Sequence, residues 1–212
     1  NIEEDHLDYF ADREAILEHF QRFASLLPPG GILVVNGDDT GSASVADSAR
    51  ARRVTFGARE GNDYRFTDVR MLKGGVEFTL RAPGGICREV RLRVPGRHNA
   101  LNATAALALA LSMGVDLEKA ARALEAFGGV KRRFQEVGVV AGVRLVDDYA
   151  HHPSEVLATL EAARNEGADR VVCIFQPHRY SRTECLWEEF GRALGLADLV
   201  IVTDVYSAGE EP

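Results

Sequence analysis

Cysteine is scarce in this 212-residue sequence, and the three cysteines, Cys87, Cys173 and Cys185, lie far apart. None falls in a CxxC or Cys/His metal spacing, which argues against a disulfide framework and points to a reducing compartment. Long apolar runs are missing too: none approaches the roughly 20 residues that span a bilayer, and no signal peptide is read at the start. A cytoplasmic protein with no membrane association is therefore expected. Positive charge is in deficit, with 25 Lys+Arg against 32 Asp+Glu and a net charge of -7. That balance argues against non-specific nucleic-acid binding and leaves only local basic clusters. Also absent are a GxxxxGK[ST] phosphate loop, a Ser-His-Asp elbow and a glycosidase carboxylate pair. There is no internal repeat, no low-complexity segment and no evident obligate protein partner.

The organising stretch is Leu145-Val146-Asp147-Asp148-Tyr149-Ala150-His151-His152-Pro153-Ser154-Glu155. An apolar run feeds two carboxylates, an aromatic ring and two imidazoles, and Pro153 stands where a helix can begin without wasting a backbone donor. The grammar is strand, polar loop, helix N-terminus. In open α/β sheets that crevice is where ligands bind, and positive helix ends favour anions. An Asp/His-rich surface turn is the plainer alternative.

Upstream, Glu3, Glu4, Asp5, His6 and Asp8 form a polar run. It reads either as a solvated loop or as a hard-cation site where carboxylates and an imidazole converge on magnesium. Residues 12–27 place Ile16, Leu17, Phe20, Phe23, Ala24 and Leu27 at helical spacing, a core-facing helix ended by Pro28-Pro29-Gly30-Gly31. Residues 32–35 are a continuous apolar run, expected to be a strand buried on both faces. An Asn36-Gly37-Asp38-Asp39 turn, a helix over 42–50 and a strand over 53–56 complete a β–α–β pattern with parallel strands. Residues 64–94 alternate apolar and polar, as antiparallel strands with one wet face do.

Pro95-Gly96-Arg97-His98-Asn99 then opens an apolar helix. Asn99 and Asn102 sit three apart on one face, and their amides complement a purine edge, whereas a capping role would explain only Asn99. A helix over 116–127 ends at Gly128-Gly129 in C-cap fashion. Lys131-Arg132-Arg133 follows, either a surface basic run or a cationic clamp for phosphate. A domain boundary is expected here, giving domains 1–129 and 130–212. Beyond it come strands 134–140 and 143–146, a helix over 154–164, a buried parallel strand 171–175, a helix over 184–194 and a strand 199–202.

The expected fold class is α/β: a parallel sheet with flanking antiparallel strands, then a partial Rossmann-like doubly wound domain. Its second half gathers Asp147, Asp148, His151, His152, His178, Arg179 and Arg182, and the two arginines three apart suit a fork around a carboxylate or phosphate. From residues alone the reading stops at a nucleotide-dependent phosphate or carboxylate transferase.

Five ordered motifs carry a resemblance: Asn1-Ile2-Glu3-x-Asp5-His6, Pro95-Gly96-Arg97-His98-Asn99-x-x-Asn102, Arg132-Arg133-Phe134, Asp147-Asp148-Tyr149-x-His151-His152-Pro153 and Gln176-Pro177-His178-Arg179-Tyr180. The sequence resembles the Mur ligases, ATP-dependent enzymes of peptidoglycan precursor synthesis, and most closely those that add the first amino acid. The resemblance implies ligation of L-alanine to UDP-N-acetylmuramate through an acyl phosphate, with ATP and Mg2+. It implies part of a central ATP-binding domain followed by part of a C-terminal domain, the phosphate loop lying upstream of Asn1, so that this piece alone is expected to be inactive. By motif position, His6 resembles a metal ligand and Asn99 and Asn102 the adenine contacts. Arg133 matches the arginine that reaches the phosphates, and Asp148 the acid that holds the nucleotide. His178, Arg179 and Arg182 resemble the grip on the alanine carboxylate, with Arg133 and His178 as the catalytic candidates. His151 and His152 serve either orientation or direct chemistry. Domain closure about Gly128-Gly129 is expected to exclude water from the acyl phosphate. Two alternatives stand beside this: a murein-peptide ligase of cell-wall recycling, and a non-catalytic chain that keeps the fold.

Overall fold

The computed structural model describes residues 1–6 and 9–211. Its contacts divide it into two compact units: residues 1–70, 76–92 and 97–127 in one, and 71–75, 93–96 and 128–212 in the other.

The first unit opens with helix α1 (Arg13–Ser25), capped by Asp12, whose carboxylate accepts the Ala15 N–H. A parallel β–α–β follows: β1 (Ile32–Asn36), α2 (Thr40–Ala46) and β2 (Arg52–Gly57), with Val34 opposite Val54. Strands β3 (Tyr64–Leu72), β4 (Gly75–Ala82) and β5 (Ile86–Leu92) extend the same sheet in the order β1-β2-β3-β4-β5. β2 and β3 run parallel, and β4 and β5 antiparallel. Alternation does its work here: Val76, Phe78, Leu80 and Val90 are fully buried while Glu77 and Arg81 face outward. Each such apolar side chain contributes roughly 1.5–3 kcal/mol. Helix α3 (Arg97–Ser112) packs on β1 and β2, and α4 (Leu117–Ala126) on α3 and β5.

Three expectations for this unit need correction. β1 is an edge strand, and only Val35 on it is buried, so the continuous apolar run does not mark burial on both faces. Ile16, Leu17 and Ala24 of α1 join the core, but Phe20 and Phe23 are exposed. Helix α4 ends at Phe127 in an extended conformation, and the left-handed glycine is Gly129, two residues on, so the glycine pair does not form a C-cap.

The second unit holds a hairpin, β6 (Gln135–Val140) and β7 (Val143–Asp147), turning through Ala141-Gly142 with both residues at positive φ. Helix α5 (Pro153–Asn165) follows, then β8 (Val172–Phe175), α6 (Tyr180–Cys185), α7 (Trp187–Leu194) and β9 (Leu199–Val202), which pairs with β8 in parallel. Val156, Leu160, Val171, Phe175, Phe190 and Ala193 form its core. The α/β class is the one expected, but β8 is buried on one face only: Phe175 joins the core, while Val172 and Ile174 are exposed, as are Leu199 and Ile201 opposite them. Among the described residues, β6-β7 and β8-β9 are separate two-stranded sheets, so the polar segments after β7 and after β8 leave different sheets rather than one doubly wound sheet. The expected helix over 184–194 breaks at Leu186 into α6 and α7.

Candidate functional site

In the first unit, His6 adopts a left-handed conformation (φ 54°) and its ring Nε2 lies 3.8 Å from Asp5 Oδ2. The imidazole is 62% exposed. Asp8, the other carboxylate expected nearby, lies outside the described residues. Among the described residues no group of three or more His, Cys, Asp or Glu could hold a metal. One imidazole and one carboxylate fit a magnesium ion that shares its shell with phosphate oxygens and water, rather than a dedicated cage.

Asn99 and Asn102 occupy the first two turns of α3, Asn99 half-buried and Asn102 exposed. The helix begins two residues before Asn99, so Asn99 is not its flanking cap. Asp38 and Asp39, read only as a turn, serve the backbone. Asp39 caps α2 by accepting the Ser42 N–H and also accepts the Ile2 N–H. Burial opposes its charge, but those bonds outweigh it and hold the carboxyl below its usual range. Asp38 accepts from the Ala58 and Arg59 N–H groups and the Asn62 amide.

The second unit gathers most of the remaining residues. Asp148 ties two loops together: one oxygen accepts the Phe134 N–H at 2.7 Å and the other the Ala150 N–H at 2.8 Å. The Tyr149 N–H donates to the Arg132 carbonyl at 2.8 Å, and the Arg132 guanidinium lies 4.5 Å over the Tyr149 ring. Arg133 donates to Glu155 Oε1 at 3.1 Å. Thus the basic stretch after Gly129 is held on the Asp148–Glu155 loop by hydrogen bonds on both sides. A cleft of about 460 Å³, all of whose lining residues belong to this unit, is bordered by Arg93, Lys131, Arg133, Arg144 and Glu136.

Pro153 does start α5, with His152 as its cap. Glu155 completes the cap: its Oε2 accepts the His151 N–H at 3.0 Å and the His152 N–H at 3.3 Å. Burial works against the Glu155 charge, yet the His151 N–H and Arg133 keep its carboxyl below the usual range. The sequence reading missed Glu155 as a site member. Its signal was its position three residues after the cap, where a glutamate reaches back to the cap N–H.

His178 lies at the end of β8 in a parallel bridge with Tyr206, and its ring stands 5.7 Å from that of His151 and 5.5 Å from that of Tyr206. Arg182, 6% exposed, donates to His178 Nδ1 at 3.2 Å. Burial, with the charges of Arg182, His151 and Arg179, pushes the His178 imidazole below its usual pKa, and Glu210 only partly opposes them. Arg179 sits at φ 72° and donates to Glu210 Oε1 at 3.2 Å. Arg179 thus meets Glu210, and Arg182 meets His178. Glu210 also accepts the Ser181 hydroxyl and N–H, and these bonds, with Arg179 and the Tyr180 N–H, lower its carboxyl to about 2 against the opposing cost of burial. Glu210 and Tyr206 had no local sequence signal.

The structure thus brings Arg133, Asp148, His151, His152, His178, Arg179 and Arg182 into one unit, and leaves His6, Asn99 and Asn102 in the other. The chain is an α/β protein with an asparagine pair at the start of α3 in one unit and a cationic, imidazole-rich loop cluster in the other. Two family models match it: Mur ligase middle domain over residues 1–110, and Mur ligase, glutamate ligase domain over residues 132–212. The chain belongs to the Mur ligase family. It is 50% identical over 216 residues to the UDP-N-acetylmuramate–L-alanine ligase of Kineococcus radiotolerans, covering all of this chain and 45% of that one. The corresponding enzyme of Acidothermus cellulolyticus is 48% identical, with the same shares covered. Among solved structures it is similar to the UDP-N-acetylmuramate–alanine ligase of Thermotoga maritima, at 32% identity and a TM-score of 0.77, over 97% of this chain and 45% of that one. The chain spans about half the length of the curated relatives it matches.

Proposed function

We propose that this chain is the part of an ATP-dependent ligase that joins L-alanine to UDP-N-acetylmuramate in the cytoplasm, in peptidoglycan precursor synthesis. On this reading residues 1–129 belong to the ATP-binding domain and 130–212 to the domain that receives the amino acid. The observation that carries the proposal is the 50% identity, over the whole of this chain, to a protein of that name. A carboxylate is a poor electrophile, and phosphorylation by ATP supplies a leaving group. The amine of L-alanine then attacks the acyl carbon, and phosphate departs with the electron pair of the broken C–O bond. Charge accumulates on the phosphoryl oxygens, so fixed cations aimed there lower the barrier.

Arg133 is the residue assigned to those oxygens, Asp148 to the nucleotide, and Asn99 and Asn102 to adenine. His6 would hold magnesium, which supplies further positive charge to the phosphates when bound. His178, Arg179 and Arg182 are assigned to the amino acid, and His152 to holding its loop. In this structure Arg133 is paired with Glu155 at 3.1 Å, an exchangeable partner on a half-exposed side chain. Arg133→Ala in the full-length enzyme is expected to lower turnover by about 10²-fold or more while leaving thermal unfolding unchanged. Steady-state phosphate release checks this, and unchanged turnover would remove Arg133 from the reaction. Supplying a tripeptide in place of L-alanine separates this reading from a murein-peptide ligase.

A further inference from the structure

The two imidazoles that face each other in the second unit present opposite edges. A carbonyl oxygen only accepts, so the 2.8 Å contact between His151 Nδ1 and the Tyr149 carbonyl requires a proton on Nδ1. The neutral ring then carries its lone pair on Nε2. Glu155, 3.6 Å from Nδ1, favours the same proton position. A guanidinium only donates, so the 3.2 Å contact from Arg182 to His178 Nδ1 requires a lone pair there. Its proton sits on Nε2, and an imidazolium is excluded in this arrangement. Among the described residues, no hydrogen bond engages Nε2 of either ring. The ring centres are 5.7 Å apart, and a hydrogen bond spans about 2.8 Å, so one small ligand can touch both.

We propose that the pair divides the work on an α-amino acid: His151 Nε2 is the base that takes a proton from its ammonium group, and His178 Nε2–H is a donor to its carboxylate. The inference rests on the ligase reading above and moves the proton-transfer role from His178 to His151. An α-amino acid enters as a zwitterion, and its ammonium nitrogen has no lone pair with which to attack. His151 Nε2 takes one proton, leaving a free amine and an imidazolium. The amine forms the C–N bond, the acyl C–O bond breaks toward phosphate, and the second nitrogen proton leaves with the phosphate. The imidazolium gains from Glu155 on its far side, while His178, surrounded by Arg182, Arg179 and His151, stays neutral despite Glu210. Tyr149, edge-on to His151, and Tyr206, tilted against His178, are the remaining titratable groups against the two rings.

Asparagine tests each edge separately. Its amide reproduces the Nδ1 position of histidine, as donor to Tyr149 or acceptor from Arg182, and lacks the Nε2 edge. In the full-length ligase, kcat and KM for L-alanine are measured across neutral to alkaline pH for the wild type, His151→Asn and His178→Asn. His151→Asn is expected to lower kcat about 10²- to 10³-fold near pH 7, with the deficit shrinking as pH rises. Hydroxylamine, already unprotonated at neutral pH, is expected to restore C–N bond formation in that variant. His178→Asn is expected to raise KM for L-alanine about tenfold with the pH profile unmoved. A His151→Asn deficit that is equal at every pH, or equal for hydroxylamine, overturns the inference. A wild type that joins no L-alanine removes the ligase reading and this inference with it.

Discussion

The two units solve the same problem with different materials. In the first, one sheet face is closed: Val76, Phe78, Leu80 and Val90 are fully buried, and helices α1, α2 and α4 are capped by Asp12, Asp39 and Asp116. In the second, strand faces are left open, with Ile174 at 71% exposure and Val202 at 58%, while its loops are bound by carboxylates. Among the described residues, non-glycine positions at positive φ are more numerous there too: Arg132, Phe134, Ala141, Arg179 and Ala208, against His6 and Asp68 in the first unit. Such conformations cost of order 1–3 kcal/mol each and persist only where surrounding bonds determine them. The first unit thus relies chiefly on burial, whereas the second adds directed polar bonds to its core of Val156, Leu160, Val171, Phe175, Phe190 and Ala193, which suits a surface that must present side chains at set angles.

The sharpest way to break this contrast is to cut one large apolar side chain in a strand of each unit. Phe78→Ala is expected to destabilise by about 3–5 kcal/mol, because Phe78 is fully buried and edge-on to Phe66 at 6.4 Å. Ile174→Ala is expected to stay within about 0.5 kcal/mol, since its side chain is already in solvent. Urea unfolding of this chain measures both, and equal losses would show that burial governs both units alike.

A polar cut comes next in size. Asp148→Ala strands the N–H groups of Phe134 and Ala150, both part-buried bonds. The expected loss is about 1–3 kcal/mol. It should be local, seen as faster amide exchange at Phe134 and Ala150 with the first unit unchanged. Protection that falls evenly across both units would mean that Asp148 is not a local tie.

Much of the first unit could be read directly from the sequence, because its signals are short-range. The helical spacing that sets Ile16 and Leu17 on one face with Ala24, and the alternation from Val76 to Leu92, each act within a few residues. The same holds for Pro153 at the start of α5. What failed was anything that depends on position in the sheet. The apolar runs of β1 and β8 look alike whether a face is covered or open, and Phe20 and Phe23 lie on the α1 flank that periodicity alone cannot separate from the core. The break at Leu186 carries no glycine or proline to announce it. In the candidate site, the residue types around Asp148, His151 and His178 were legible, but their roles were not. The edge that each imidazole presents is set by one neighbouring atom, the Tyr149 carbonyl or the Arg182 guanidinium. Glu210 reaches Arg179 from 31 residues away, a distance over which no local pattern operates.

That long-range carboxylate offers the finest test. Its pKa is lowered from 4.5 to about 2 by the Ser181 hydroxyl and N–H first, and by Arg179 and Tyr180 with them. A depressed carboxyl stabilises the fold above its unfolded value and loses that contribution as pH falls through its folded value. The stabilisation from Glu210 should therefore be complete above about pH 5, shrink between pH 4.5 and 2, and vanish below. Glu210→Gln should lower the urea midpoint modestly at pH 7, and the gap to the wild type should close across that acid window. Added salt should narrow the gap only in part, because it screens the Arg179 charge but not the Ser181 bonds. A gap that persists unchanged at pH 2 would assign the stabilisation to uncharged contacts. The left-handed Arg179 would then owe its conformation to the Tyr206 carbonyl, which accepts its N–H at 2.8 Å, rather than to the carboxylate.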